Sequence, residues 1–161
     1  MKFAITFMLC LLAGPAMAAS CDRWTASMEE DEGGPRMMAS ICTGTGDNEN
    51  TLLVQCGDDS ELNLRFLPAP DINYPPTAAA GDFQAELKFS LDQEQFRHKG
   101  RYEEMDGAMA IYIGIKDPLF EAMKTHKTIT LTDTDGKISA ITFPLKDSED
   151  ALRKVIDTCG G

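Results

Sequence analysis

The residue types that most often carry out catalysis are sparse in this chain of 161 residues. Its two histidines, His98 and His126, have neither a Gly-x-Ser-x-Gly segment nor a second metal ligand at zinc-site spacing near them. A glycine-rich phosphate loop is also absent from the sequence. We therefore predict no catalytic residues and no cofactor, and we expect a protein that is not an enzyme.

Possible metal ligands form patterns that do not fit a metal site. The run EEDE at 29–32 has adjacent carboxylates that point in different directions, so it is predicted to be a solvated turn. In the segment DTDG at 133–136, placing Gly136 at the glycine of an EF-hand loop puts Leu131 at the first ligand position and Thr142 at the last. That segment is predicted to be a hairpin turn. Four methionines suggest copper but are spread through apolar segments, which favours core packing: Met37, Met38, Met105 and Met109.

Four cysteines follow the N-terminal 18 residues: Cys21, Cys42, Cys56 and Cys159. None belongs to a Cys-x-x-Cys motif, which argues against a zinc site and a thioredoxin-like site. In an oxidising compartment four cysteines favour two disulfides, for which three connectivities exist. Cys159 falls on the apolar stripe of a predicted helix, and Cys56, in an apolar segment, is a candidate partner. Spacing alone also permits Cys42–Cys56 together with Cys21–Cys159.

Basic residues gather in one segment of this acidic chain, residues 95–103. In an extended strand Arg97, Lys99 and Arg101 point to the same side. That side either receives a carboxylate or the acidic edge of a partner, or protects an edge strand from aggregation. Tyr74, in the proline- and alanine-rich segment 68–81, is either an exposed recognition residue or a plug on the core. These four residues are the candidate protein-binding residues.

The N-terminal residues have the features of a secretory signal peptide. Lys2 supplies the positive charge, residues 3–12 are apolar, and the motif AMA ending at Ala18 is a cleavage site. We expect cleavage after Ala18, which leaves 19–161 as a single exported β-rich domain in the periplasm or outside a bacterial cell. No later segment reaches the roughly 20 apolar residues of a transmembrane helix. Cleavage before Cys21 with lipidation is the alternative.

The formal net charge of −11 restricts the kind of partner. It argues against nucleic acid and against anionic membrane surfaces, both of which would be repelled. It permits attraction to a basic protein, and it also serves simply to keep an exported domain soluble.

Alternating apolar and polar residues predict a chain made mainly of β-strands. The strongest alternation lies at Phe83, Ala85, Leu87, Phe89 and Leu91, and a second lies at Leu62, Leu64 and Phe66. Further strands are predicted at 21–28, 37–43, 51–56, 95–103, 108–115, 128–132 and from 137 to 145, with a polar loop at 44–50.

Two short helices complete the prediction. Asp117 and Pro118 are typical of a helix start, which predicts a helix over 117–124. Near the C-terminus, Asp147 or Ser148 is the predicted cap of an amphipathic helix that ends at two glycines. The predicted fold is mainly β, an antiparallel β-sandwich or flattened barrel with one short helix and a C-terminal amphipathic helix.

From residue 52 to 159 the chain resembles the VasI-type family of periplasmic proteins associated with type VI secretion. The segments that carry the resemblance are LLVQC at 52–56, LNL at 62–64, LKFSLD at 87–92, PLFEAM at 118–123, ITL at 129–131, ITFPL at 141–145 and ALRKVIDTC at 151–159. The family's paired cysteines would fall on Cys56 and Cys159, so the resemblance implies that disulfide and leaves Cys21 to pair with Cys42. The middle tryptophan of the family has no counterpart here.

We therefore expect a non-enzymatic accessory protein that binds an envelope or secreted protein, with secretion association implied by the resemblance. The second hypothesis is an inhibitor of a host or rival enzyme, for example a basic lysozyme attracted to the acidic surface.

Overall fold

The structure is a computed structural model that describes residues 21–31, 33–57, 61–76 and 82–160. The predicted signal peptide and its cleavage site after Ala18 lie outside these residues, as do Glu32 and residues 77–81 of the proline-rich segment. The elements in chain order are β1 Thr25–Asp31, β2 Gly34–Thr45, β3 Asn48–Cys56, β4 Glu61–Leu67, β5 Gln84–Leu91, β6 Glu94–Glu103, β7 Ala108–Gly114, α1 Pro118–Thr125, β8 Thr128–Asp133, β9 Ile141–Pro144 and α2 Ser148–Cys159.

The nine described strands follow the order β1-β2-β3-β4-β7-β6-β5-β8-β9, and every neighbouring pair is antiparallel. The prediction of a mainly β fold with two helices is confirmed. None of the described helices is long and apolar enough to cross a membrane.

The sheet has two parts that are joined only briefly. Residues 101–103 of β6 pair with residues 108–110 of β7, whereas β5 pairs with β6 from end to end. The part β1-β2-β3-β4-β7 and the part β6-β5-β8-β9 therefore share a short ladder and separate beyond it. Their inward side chains form one core in which Phe66, Phe89 and Phe143 are fully buried.

The two helices close this core. Asp117 caps α1 because its Oδ1 accepts a hydrogen bond from the Leu119 amide at 2.9 Å, as the sequence predicts. At α2 Asp147 occupies the predicted cap position, but its backbone is left-handed with φ of 63° and its side chain makes no capping hydrogen bond. The Ser148 hydroxyl lies 2.7 Å from the backbone carbonyl oxygens of both Met123 and Leu145, which share its single proton, and the contact with Met123 joins α2 to α1.

Two disulfides fix the first and the last segments of the described chain to the sheet. Cys56, the last residue of β3, pairs with Cys159, the last residue of α2, at a Cα–Cα distance of 5.3 Å. Cys21 pairs with Cys42 in β2 at 4.4 Å. The pairing implied by the family resemblance is present, and the connectivity Cys42–Cys56 is wrong.

Several strand boundaries differ from the sequence-based prediction. β1 begins at Thr25 rather than at residue 21, and β2 begins at Gly34 rather than at residue 37. β1 continues through Asp31 because residues 29–31 pair with residues 34–36 of β2, so Glu29 and Glu30 lie in a strand rather than a turn. The loop predicted at 44–50 is mostly strand, closed by a tight turn at Gly46. β9 begins at Ile141 rather than near residue 137.

The end of the second sheet returns to the start of the first. The Trp24 amide donates to the Lys146 carbonyl at 2.9 Å, and the Trp24 indole Nε1–H donates to the Pro144 carbonyl at 3.1 Å. These bonds fasten the entry of β1 to the exit of β9, and the buried indole anchors that junction in the core. The described strands therefore approach a flattened barrel that is closed at this corner.

Candidate protein-binding surface

The three basic residues of β6 lie on one exposed side of the strand, as the sequence predicts. Arg97, Lys99 and Arg101 are all exposed, and they alternate with residues that face the core. β6 has two neighbours, β5 and β7, but it meets β7 only at residues 101–103. On the side opposite β5, residues 94–100 form an edge, so this segment is both a basic surface and an edge strand.

The sheet brings two more basic residues to this surface that the sequence did not associate with it. Lys88 of β5 lies directly opposite Arg97. Arg65 of β4 and Arg101 of β6 flank the same residue of β7, Ala110. We call the surface formed by these five side chains the cationic face: Arg65, Lys88, Arg97, Lys99 and Arg101.

Tyr112 borders the cationic face. The apolar run 108–115 suggested a wholly buried strand, but Tyr112 shares the outward side of β7 with Ala110 and is 45% exposed. Partial burial raises the pKa of its hydroxyl, and a hydrogen bond to Glu103 raises it further. The phenol is therefore a protonated donor at neutral pH, beside an otherwise cationic surface.

Glu103 contacts three residues on this surface. It accepts hydrogen bonds from Arg65 Nη2 at 2.8 Å and from the Tyr112 hydroxyl at 2.9 Å, and Arg101 Nη2 lies 3.7 Å away. Its side chain is 19% exposed, so these contacts are partly shielded from water and hold three strands in register. Asp106, in the β6–β7 turn, is a second carboxylate partner of Arg65 at 2.5 Å.

Carboxylates compensate only part of the charge on the cationic face. Glu86 lies 3.3 Å from Arg97, which relieves the repulsion between Arg97 and the directly opposite Lys88. Among the described residues, Lys88 and Lys99 have no ion pair within 4 Å. The face therefore keeps cations that are available to a partner.

A shallow depression of about 280 Å³ lies within this surface, where β6 and β7 begin to separate. Its base is formed by the methyl group of Ala110 and by the backbone of Gly100, whose missing side chain would point to the core. On the core side, a Cβ on Gly100 would come within 3.1 Å of the Met109 Cε and 3.3 Å of the Ile111 Cγ1, so glycine leaves room for these β7 side chains. Lys99, Arg101 and Tyr112 line the sides, so an entering group would meet two cations and a phenol.

Tyr74 does not belong to this surface. It is 5% exposed and packs edge-on against Phe83, with ring centroids 5.3 Å apart. Burial raises the pKa of its hydroxyl, and the charges of Asp133 and Asp135 raise it further. The interpretation of Tyr74 as an exposed recognition residue is wrong. The alternative, in which Tyr74 covers the core as a plug, agrees with its burial against Phe83.

The two histidines lie at opposite ends of α1. His98 Nε2 is 3.6 Å from the Oδ1 of Asp117, the cap at the start of the helix. His126, which follows the helix, has its Nε2 3.7 Å from Glu94 and 3.8 Å from Asp92 in the β5–β6 turn. Both rings thus face carboxylates and lie between α1 and the β5–β6 hairpin. The absence of a catalytic role for them stays a prediction.

The other candidate ligands are dispersed. β1 sends Glu29 and Glu30 to opposite sides, because successive residues of a strand alternate. The segment 133–136 forms the predicted turn, in which Asp133 Oδ1 accepts the Ile138 amide at 2.9 Å. Met109 is buried in the core, but Met105, expected there, is 97% exposed in the β6–β7 turn.

Comparison with known proteins gives a relation at the level of the fold. No family model and no curated protein matches the chain. The crystal structure of invasion associated protein B from Bartonella henselae superimposes with a TM-score of 0.58, at 11% sequence identity, over 91% of this chain and 100% of that chain. At that identity the similarity establishes a shared fold and nothing about activity or partner.

Proposed function

We propose that this chain is an exported bacterial binding protein without catalytic activity, which acts by contact with another protein of the envelope or the medium. The observation that carries the proposal is the cationic face, a positive surface on a chain whose formal net charge is −11. An acidic partner would be attracted by this one surface and repelled by the remainder of the molecule. Such a charge distribution selects both the partner and the orientation in which it docks.

The cationic face is also held in a defined geometry. Its side chains project from paired strands, and Glu103 restrains Arg65 and Arg101 from the same side. A surface that is ordered before binding loses less conformational entropy when a partner docks. This preorganisation favours a dedicated binding surface over a merely solvated one.

The proposal includes location in the periplasm or outside the cell, with the signal peptide removed after Ala18. Its support is the sequence pattern of residues 1–18 and the two disulfides, which persist in oxidising compartments. The resemblance to the VasI-type family adds association with a type VI secretion system to the proposal.

The experiment is affinity capture from an envelope extract of the native source. The test variant carries Arg97→Glu and Lys99→Glu, and the matched control carries Lys116→Glu and Lys127→Glu, two exposed lysines outside the cationic face. Both variants change the net charge by the same amount. We expect the test variant to lose its partner and the control to keep it. Equal capture by both variants would eliminate the cationic face as the binding site.

A second candidate function is inhibition of a host or rival enzyme such as a basic lysozyme. A groove of about 580 Å³ between β1 and α2 favours it, because its lining has three carboxylates, Glu29, Asp147 and Asp150, and one cation, Lys154. Lysozyme turnover, measured with and without the protein at low and at physiological salt, tests this function. We expect inhibition that weakens as salt screens the attraction. Unchanged turnover at both salt concentrations would dispose of this candidate.

A further inference from the structure

β6 presents backbone groups as well as charges. It pairs with β5 along residues 94–101, but its ladder with β7 covers residues 101–103 alone. The strand β7 then continues beside β4 as far as Gly114. Within the described residues, the side of β6 that faces β7 therefore has no strand partner from residue 94 to 100. A strand edge of this kind is able to pair with another extended chain.

The direction of the backbone groups along this edge follows from a single hydrogen bond. The Tyr102 amide donates to the Phe83 carbonyl at 2.9 Å, so the backbone groups of Tyr102 point towards β5. In a strand these groups alternate between the two sides. The even-numbered residues 94–100 therefore direct their N–H and C=O groups to β5. Gln95, Arg97 and Lys99 direct theirs to the open edge.

The same residues supply the positive charge. The side chains of Arg97 and Lys99 project from the outer surface at the positions whose N–H and C=O groups face the open edge. The depression lined by Lys99, Arg101 and Tyr112 lies where this edge begins. On the core side, His98 points towards Asp117 at the start of α1, so the helix closes the inner side of the gap. The accessible side of the edge is thus its cationic one.

We propose that the partner contributes an extended acidic segment, which adds as a strand along the open edge of β6 at Gln95, Arg97 and Lys99. Three N–H groups and three carbonyls would form the ladder, and every second side chain of the added strand would lie over the cationic face. A carboxylate at those positions meets Lys99, which has no ion pair among the described residues, and competes with Glu86 for Arg97. Main-chain pairing gives affinity and the alternating side chains give selectivity.

This inference rests on the proposed function, since it specifies how the partner would engage the cationic face. A second copy of this chain is a poor occupant, because like cationic faces repel each other and each chain carries a net charge of −11. A partner rich in carboxylates is attracted by the face and brings no cations to it.

The test uses a synthetic eight-residue peptide of alternating glutamate and valine. Amide hydrogen exchange is followed residue by residue by NMR on the full chain. Without peptide, we expect the amides of Gln95, Arg97 and Lys99 to exchange much faster than those of Phe96 and His98. With saturating peptide, the first three should slow at least tenfold, while the other two, already paired with β5, should change little. Peptide binding that leaves the first three fast would overturn strand addition.

Matched peptides separate backbone pairing from charge. N-methylation of two adjacent central residues blocks both edges of the peptide, and we expect it to weaken binding at least tenfold. Replacement of glutamate by lysine should abolish binding. Equal affinity of the methylated and unmethylated peptides would refute pairing through the backbone. The inference would also be refuted if the acidic peptide did not bind. It would be refuted too if the three amides became protected without peptide as the protein concentration rises, because a second copy of the chain would then occupy the edge.

A protein variant completes the test. Gln95→Pro removes one N–H from the open edge without removing a bond to β5 or a charge. We expect it to weaken peptide binding while it leaves the net charge unchanged. If Arg97→Glu with Lys99→Glu loses the natural partner but Gln95→Pro and the methylated peptide have no effect, the proposed function stands and strand addition falls. If the charge variant retains the partner, the cationic face itself is excluded.

Discussion

The disulfide between Cys56 and Cys159 should contribute more to stability than the disulfide between Cys21 and Cys42. The first joins residues 103 positions apart and the second joins residues 21 apart. In the chain-entropy model, closing these loops lowers the entropy of the unfolded chain by amounts worth about 4.7 and about 3.3 kcal/mol at 25 °C. The difference of about 1.4 kcal/mol corresponds to a tenfold ratio in the unfolding equilibrium.

Two variants isolate the two contributions. Cys21→Ala with Cys42→Ala retains only the long-range disulfide, and Cys56→Ala with Cys159→Ala retains only the other. For each variant, the free energy of unfolding is measured by denaturant titration before and after reduction, so that the loss of a buried sulfur by mutation cancels. We expect the larger decrease for the variant that retains Cys56–Cys159. An equal or larger decrease for the variant with the short loop would refute this reasoning.

Three further changes test the core, the surface cluster and the helix cap. Tyr74→Phe should leave the free energy of unfolding unchanged or raise it by up to about 1 kcal/mol, because the buried hydroxyl has no hydrogen-bond partner among the described residues. The wild-type protein should lose stability above about pH 10. Burial raises the pKa of Tyr74 in the folded state, so as the pH rises the unfolded chain loses the Tyr74 proton at a lower pH than the folded chain does. Tyr74→Phe lacks this group and should lose less stability. Glu103→Gln should cost about 1–2 kcal/mol through weaker bonds to Arg65 and Tyr112. Asp117→Ala should cost about 1 kcal/mol.

Thermal and denaturant unfolding measure the stability of all three variants. Unchanged stability of Asp117→Ala would mean that the cap bond to the Leu119 amide contributes nothing. A strong destabilisation by Tyr74→Phe would mean that the hydroxyl has a partner. An identical alkaline decline in wild type and variant would assign that decline to other groups. Glu103→Asp serves as the control for the surface cluster. It keeps the negative charge, but its side chain is one methylene shorter, so it separates the effect of charge from the effect of the hydrogen bonds to Arg65 and Tyr112. Equal stability of Glu103→Gln and wild type would mean that the charge of Glu103 contributes nothing to the free energy of unfolding.

Local patterns in the sequence were sufficient for most elements. Alternation at 62–66 and 83–91 predicts β4 and β5, because one face of each strand is buried. Asp117 and Pro118 predict the start of α1, because the cap bond and the fixed proline backbone depend on adjacent residues. These features are local, so that no knowledge of the remainder of the chain is needed.

The composition of the candidate site was predicted only in part. Arg97, Lys99 and Arg101 were identified because a strand places alternate residues on one side. Lys88 and Arg65 join them through the strand order β4-β7-β6-β5, which no local pattern specifies. The exposure of Tyr112 could not be predicted from residues 108–115, because an alternation of two cannot be recognised where both sides of a strand are apolar. Its neighbours Ala108 and Ala110 are buried on the outward side.

The long-range disulfide has a consequence for the order in which the chain can mature. In a polypeptide delivered N-terminus first, Cys21 and Cys42 arrive early and close to each other, whereas Cys56 must wait for a thiol 103 residues downstream. During that interval Cys56 is the free thiol nearest to Cys42 in the sequence. A non-native Cys42–Cys56 disulfide would leave Cys56 unable to pair with Cys159 of α2. Early oxidation of Cys21 with Cys42 removes the Cys42 thiol, so the Cys21–Cys42 disulfide keeps Cys56 free for Cys159.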